Sequence, residues 1–207
     1  KNKKILNYLD KENKYLKHWF RENNINSKEI FNRLKKSLPK YEEGFKNKVD
    51  GYEYFSTQSL TQEYKKYYRI HKKEKKLILD VNTLARNKKY LSISAIYPSR
   101  DHKYIAYGED KNGRREFSII IKDLNNNKNF EKNSCSSTGN IIWNKNSDGY
   151  FYLKKDPDTL ITNSLFFHKL GTKLKKDELI YRERDKQFNL SFSLSRTKKY
   201  LFLETSK

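Results

Sequence analysis

Apolar positions change their period once along this chain. Over residues 1–38, Ile5, Leu9, Leu16 and Phe20 recur at helical spacing with Tyr8, Tyr15 and Trp19 beside them, which predicts an amphipathic helix. The run Asn23-Asn24-Ile25-Asn26 interrupts it. A second helix is expected to open at Asn26, a capping residue with Glu29 three positions on. Ile30, Phe31, Leu34 and Leu38 supply its apolar face, and Pro39 closes it.

From about Val49 the pattern shortens to strand-length runs divided by turn residues. GYEYFSTQS, YKKYYRIH and KLILDV come first; YIAYGED and REFSIIIKDL then flank Lys111-Asn112-Gly113, where Asn-Gly signals a hairpin. NIIWN, GYFYLKK, SLFFHKL, DELIYRE, FNLSFSLS and KYLFLE follow. No helix-length pattern separates these runs, which argues against a parallel α/β sheet.

The stretch from Ser99, SRDHKYIAY, has an echo in SRTKKYLFL from Ser195. Ser147, in NSDGYFYL, falls 48 residues after Ser99 and 48 before Ser195. A period in the forties with about four strands per unit is the arithmetic of a β-propeller blade. Residues 99–124 then read as the inner hairpin of one blade. The expected fold class is mainly β: a partial β-propeller of about three blades preceded by an N-terminal helical segment. Residues 1–40 form the helical segment, and 41–207 hold the blades and the start of a fourth.

Composition modifies this picture only slightly. The apolar fraction is 35%, but 16 Tyr and 12 Phe are enough to build a core. A net charge of +21 suggests an acidic partner. Yet the basic residues are scattered from Lys1 to Lys207 in a chain rich in Lys, Asn, Ile and Tyr, as an AT-rich coding bias would leave them. The single cysteine, Cys135, allows no internal disulfide and fits a reducing, cytoplasmic setting. No run approaches the roughly 20 apolar residues of a membrane span, and no signal peptide is visible. The chain does not begin with Met, so the start of the gene product is expected to be missing or processed.

Candidate chemistry is sparse. The histidines are His18, His71, His102 and His168, and none of the seven glycines forms the G-x-S-x-G elbow that exposes a nucleophilic serine. Metal-ligand spacings such as C-x-x-C and H-E-x-x-H are absent. A calcium loop over GEDKNG would start at Gly108 and end at Ile119, without either anchoring carboxylate. No Gly-rich phosphate loop occurs, and no cofactor is implied. In residues 65–76, KKYYRIHKKEKK, basic and aromatic residues interleave as they would for single-stranded nucleic acid. One strand and a lysine-coated turn account for them more simply.

From Trp143 onward the residues resemble a known family. IIWNKNSDGYFYLKKDPDTL, HKLGT and DELIYRERDKQFNLSFSLSRTKKYLFL are similar to the N-terminal propeller of the oligopeptidase B group of prolyl oligopeptidase-family serine peptidases. Trp143, Asp156, Thr159, Leu160, His168, Leu170, Gly171, Thr172, Asp177, Tyr181, Glu183, Asp185 and Phe188 match in order and spacing. Upstream, YLDKENKY (8–15), LILDVNTLA (77–85) and YIAYGED (104–110) fit the same pattern, so the likeness runs over nearly the whole chain. Arg182, Ile161 and YPSRD (97–101) depart from it, as surface-type changes.

The resemblance implies a cytoplasmic endopeptidase that cuts short peptides after Lys or Arg. A seven-bladed propeller would restrict access to an α/β-hydrolase domain holding the Ser, Asp and His. That domain and the later blades would be the partners of this chain, which stops in what should be the fourth blade. No catalytic residue can be assigned within residues 1–207, and no substrate-binding residue is identified. Two other readings stand beside this one: a basic propeller-like module binding nucleic acid, and an inactive remnant of a split gene. Open strand edges and core faces should make the isolated piece adhesive. A polypeptide of residues 1–207 alone is expected to associate or stay partly molten; a monodisperse monomer with a sharp cooperative melt would count against it.

Overall fold

Antiparallel pairing organises most of the chain in the computed structural model, which describes residues 2–207. Two helices come first, α1 (Lys3–Glu22) and α2 (Ser27–Ser37). Asn26 caps the second as expected, its side-chain oxygen accepting from the N–H groups of Lys28 and Glu29 at 3.1 and 3.2 Å. Neither helix buries a residue against this chain. Their apolar faces, with Trp19, Phe31 and Leu34, are open to solvent.

The first sheet contains β1 (Tyr41–Glu43), β2 (Asn47–Val49), β3 (Tyr52–Ser59), β4 (Lys66–His71) and β5 (Glu74–Asp80). Strands β1 and β2 pair with opposite ends of β3, so together they act as one broken strand. Val81, read as the end of a strand, instead opens the short helix α3 (Val81–Ala85), because Asp80 accepts from the N–H groups of Asn82 and Thr83. Residues 65–76 form the β4–β5 hairpin, turning at Lys72 and Lys73, both with positive φ.

The second sheet has eight strands. They are β6 (Ser92–Ile93), β7 (Tyr97–Pro98), β8 (Tyr104–Asp110), β9 (Phe117–Asp123), β10 (Asn129–Trp143), β11 (Gly149–Lys155), β12 (Thr162–Lys169) and β13 (Glu178–Arg182). Strand β10 explains the size. Its first half pairs with β9, from Asn129↔Lys122 to Ser137↔Phe117, and its second half with β11, from Ser137↔Lys154 to Trp143↔Tyr150. The sheet is therefore two blades joined by a continuous strand, the outer strand of one becoming the inner strand of the next. A fourth unit begins with β14 (Asn189–Leu194) and β15 (Leu201–Ser206).

Two sequence readings need correction. Residues 99–124 form the middle hairpin of the second blade, because the broken pair β6 and β7 occupies the inner edge. The connection from β8 to β9 spans residues 111–116, longer than a two-residue Asn-Gly turn, with the Asp110 carboxylate accepting from the N–H groups of Asn112, Gly113 and Arg115. The repeat also shifts. Equivalent turns begin at Ser99, Asn144 and Ser195, whose N–H groups bond to the carbonyls of Tyr104, Gly149 and Tyr200 at 2.9, 3.0 and 2.8 Å. The left-handed residues are His102, Ser147 and Lys198, so Ser147 matches His102 and the spacings are 45 and 51 residues.

The blades pack face to face. Alternation along β9 sends Ile120 to a core shared with Tyr54, Ile78 and Leu79 of the first blade, while Ile119 and Ile121 join Trp143, Tyr150 and Tyr152 of the third. A sheet buried on both faces needs an unbroken apolar run, which Ile119, Ile120 and Ile121 supply. A third core joins Leu153 and Leu165 to Leu190 of the fourth unit. Backbones come close at Gly108, where an added Cβ would lie 2.6 Å from Gly139 Cα and 3.0 Å from Phe117 Cβ. Gly108→Ala is therefore expected to cost about 1–3 kcal/mol, by the usual penalty for overpacking, measured as a shift in urea midpoint in the whole protein. An unchanged midpoint would mean that the two strands separate freely.

Candidate functional site

The inner strand of each blade faces a common concavity. Val49 on β2, Tyr97 on β7, Ile142 and Trp143 on β10 and Leu194 on β14 line a cavity of about 560 Å³. Each strand ends at one rim in a tight turn: Asp50-Gly51, then the turns opened by Ser99, Asn144 and Ser195. Hydrogen bonds stitch the inner strands together. Trp143 Nε1 donates to the Tyr97 carbonyl at 2.9 Å, and the Tyr97 hydroxyl donates to Asn140 Oδ1 at 2.8 Å. The wall is predominantly apolar and aromatic, with Asp50, Arg100, His102 and Lys198 at its border.

Four histidines were candidates for chemistry, and the fold separates them. His18 is exposed on α1 and faces Glu22 at 3.1 Å. His71, at the end of β4, packs edge-on against Tyr52, with ring centroids 4.1 Å apart. His102 lies in the turn SRDH, where serine, aspartate and histidine are neighbours, but their roles are structural. Ser99 Oγ donates to Asp101 Oδ1 at 2.6 Å and accepts the Tyr104 N–H at 2.9 Å, closing the turn. The His102 ring turns away to stack on Tyr52 and to meet the Tyr54 hydroxyl at 2.8 Å. Burial depresses the His102 pKa, with Arg69 adding to the effect against Asp50. Burial also pushes the Tyr54 hydroxyl up to about 12.

His168 makes the most intensive polar contacts. Fully buried on β12, it places Nδ1 2.7 Å from Asp177 Oδ1 and Nε2 2.6 Å from Glu131 Oε1. An Asp–His pair resembles a catalytic base with its orienting carboxylate. Here the second nitrogen meets another carboxylate where a nucleophile would stand, and solvent has no access. Tyr152 donates to Asp177 at 2.8 Å, Asn133 donates to Glu131 and Tyr150, and the Gly171 N–H donates to Glu131 at 2.7 Å. Burial alone would lower the His168 pKa, but hydrogen bonds to Glu131 and Asp177 outweigh it and hold the imidazole above its ordinary value. Glu131, correspondingly, is held below the usual carboxylate range despite its burial.

The motif residues singled out from the sequence share this structural character. Asp156 caps its turn through the N–H groups of Asp158 and Thr159, and Glu183 and Asp185 accept from the N–H groups of Asp185 and Gln187. Thr172 Oγ1 bonds back to the Lys169 carbonyl. Glu131 and Asn133, which complete the His168 network, escaped sequence reading because they lie in a polar stretch with no strand signal. The alternation of buried and outward positions from Lys132 to Ile141 exists only in the fold, where Asn133, Ser137 and Gly139 are among the buried members.

Successive four-stranded sheets stacked around an inner wall define a segment of a β-propeller. The family model described as prolyl oligopeptidase, N-terminal β-propeller domain, matches residues 1–207, and the chain belongs to that family. It is 27% identical over 215 residues to Protease 2 of Moraxella lacunata, covering 99% of this chain and 31% of that protein. Over 125 residues it is 33% identical to dipeptidyl aminopeptidase BI of Pseudoxanthomonas mexicana, covering 60% of this chain and 17% of that one. The fold is similar to that of oligopeptidase B from Leishmania major, with a TM-score of 0.85 at 20% identity over 100% of this chain and 30% of the other. The chain thus spans less than a third of the length of these relatives.

The His168 contacts generate a pH dependence with a definite sign. A folded-state pKa above 6.5 means that the stabilisation is complete below 6.5 and is lost as pH rises through the folded value. In the whole protein, stability should therefore fall on the alkaline side of 6.5 more steeply than in H168Q. At neutral pH, H168Q should be less stable by about 3–5 kcal/mol, since two buried carboxylates lose their partner. Urea midpoints across pH test this, and an equal slope in H168Q would remove His168 as its source.

Proposed function

We propose that residues 1–207 are the N-terminal helical and propeller portion of an oligopeptidase B-like serine endopeptidase. Residues 1–40 form its helical segment, and 41–207 hold the first three blades and the start of a fourth. The whole enzyme cleaves short peptides after Lys or Arg in the cytoplasm. The hydrolase domain and remaining blades, which follow in the longer protein, supply the nucleophile, the base and the basic-residue pocket. This portion acts by exclusion: stacked blades around an apolar wall admit a flexible peptide and refuse a folded protein.

The observation that carries this reading is the run of matching residues from Trp143 to Phe188. Those side chains cap the turns and fill the buried network of one blade, so retaining them means retaining the blade's geometry. The single cysteine, Cys135, is buried, and burial pushes its thiol up to about 11, far from a nucleophilic thiolate. The open apolar faces of α1 and α2 suit docking against the rest of the same protein.

The test uses the whole protein, with peptide coverage extending beyond Lys207. It should hydrolyse Arg and Lys esters and short peptides after those residues, and leave folded proteins intact. A serine-directed fluorophosphonate should label a residue outside 1–207. Absence of hydrolysis, or a label on a serine within 1–207, would overturn the reading.

A further inference from the structure

Neighbouring blades in this chain touch in chain order: first with second, second with third, third with fourth, each through its own apolar core. Two polar contacts at one rim break that order, with two contacts between neighbouring blades beside them. The Lys198 ammonium, in the turn after β14 of the fourth unit, lies 3.9 Å from Asp50 Oδ2, in the turn after β2 of the first blade. The Lys198 carbonyl accepts from Arg100 Nη2, in the turn after β7 of the second blade, at 3.0 Å. The same Asp50 oxygen lies 3.9 Å from His102 Nε2. In the third blade, Ser147 Oγ accepts the Asp101 N–H at 3.3 Å.

Blades that are not neighbours around a ring can meet only across its concave side. The backbone prepares these contacts: Asp50 and Lys198 have φ values of 49° and 58°, which turn both residues out of their strands at the tips of equivalent turns. Asp50, Arg100, His102 and Lys198 all border the concavity lined by the inner strands. The helical segment joins the wall at the beginning of β1, so the turns that follow the inner strands stand at the opposite rim.

We propose that Asp50, Arg100 and Lys198 form an ionic latch across the propeller axis, closing the mouth of the channel at the rim away from the helical segment. Asp50 and Lys198 are both largely exposed, 66% and 49%. Such pairs are individually weak and screened by salt. The latch is thus a breakable closure, unlike the packed apolar cores that hold neighbouring blades. Its consequence for peptides, that they pass at the other end while it holds, rests on the peptidase reading above; the latch itself does not.

Zero-length crosslinking of the whole protein tests it directly. A carbodiimide activates the Asp50 carboxylate, the Lys198 amine displaces the urea, and an amide forms with net loss of one water. Peptide mapping should find the 50–198 link at low salt, at a yield comparable to the Lys48–Glu53 and Asp101–Lys103 links, whose groups lie 3.2 and 3.6 Å apart within single blades. D50N and K198R should abolish it, and R100A should reduce it several-fold by freeing the Lys198 turn. Finding the two within-blade links without the 50–198 link would overturn the latch. D50N should also raise the ratio of kcat/KM for long over short peptides several-fold. An unchanged ratio would overturn the gating role even with the crosslink present. If the wild-type protein hydrolyses no peptide, the peptidase reading fails and the gating role falls with it, while the crosslink alone judges the latch.

Discussion

The architecture depends on one constraint: the sheet of the second blade is apolar on both faces and must be covered on both. Ile119, Ile120 and Ile121 are each essentially buried, but consecutive side chains of a strand point to opposite faces. Each isoleucine contributes on the order of 1.5–3 kcal/mol only if the blade on its own side is present. Reciprocal lysines reinforce the first seam, with Lys76 donating to the Leu124 carbonyl and Lys122 to that of Ile78. A blade of this kind cannot be stable alone, which is why the units repeat.

Continuity of β10 ties the second blade to the third, while residues 129–136 pair with β9 alone and keep an open outer edge. Here the outer strand of one blade bends near Ser136 and Gly139, both with positive φ, and continues as the inner strand of the next. Register shifts on both sides of the bend mark it as a bulge that re-aims the chain. The first two inner strands break in the same way, between β1 and β2 and between β6 and β7. One backbone device therefore recurs in three blades, although the residues that build it differ.

Between the second and third blades, polarity is concentrated where packing could have been apolar. His168, Glu131 and Asp177 form a buried charged triplet whose unmet desolvation would be severe, and the satisfied hydrogen bonds around it remove that penalty. The arrangement ties β12 and the segment leading into β13 to the outer half of β10, which belongs to the second blade. It also shows why a histidine beside an aspartate is a poor sign of catalysis by itself. What distinguishes a base from a structural imidazolium is the third partner and its access to solvent, which only the folded arrangement decides.

The sequence by itself determined the class of architecture. Helical spacing up to Pro39, strand-length runs afterwards and the recurring turns were legible because each follows from local backbone preference and a fixed side-chain period. The capping role of Asn26 and the blade-like repeat were readable for the same reason. Tertiary structure decided the rest. The polar strand beginning at Asn129 has no local apolar signal, since Asn133 and Ser137 are buried through hydrogen bonds to partners far along the chain. The repeat register depended on which residue takes the left-handed conformation, and Ser147 offers no local sign that it matches His102 and not Ser99. The meeting of Asp50 with Lys198 lies further still from sequence reading, because it depends on the curvature accumulated over successive blades, to which every packed interface contributes.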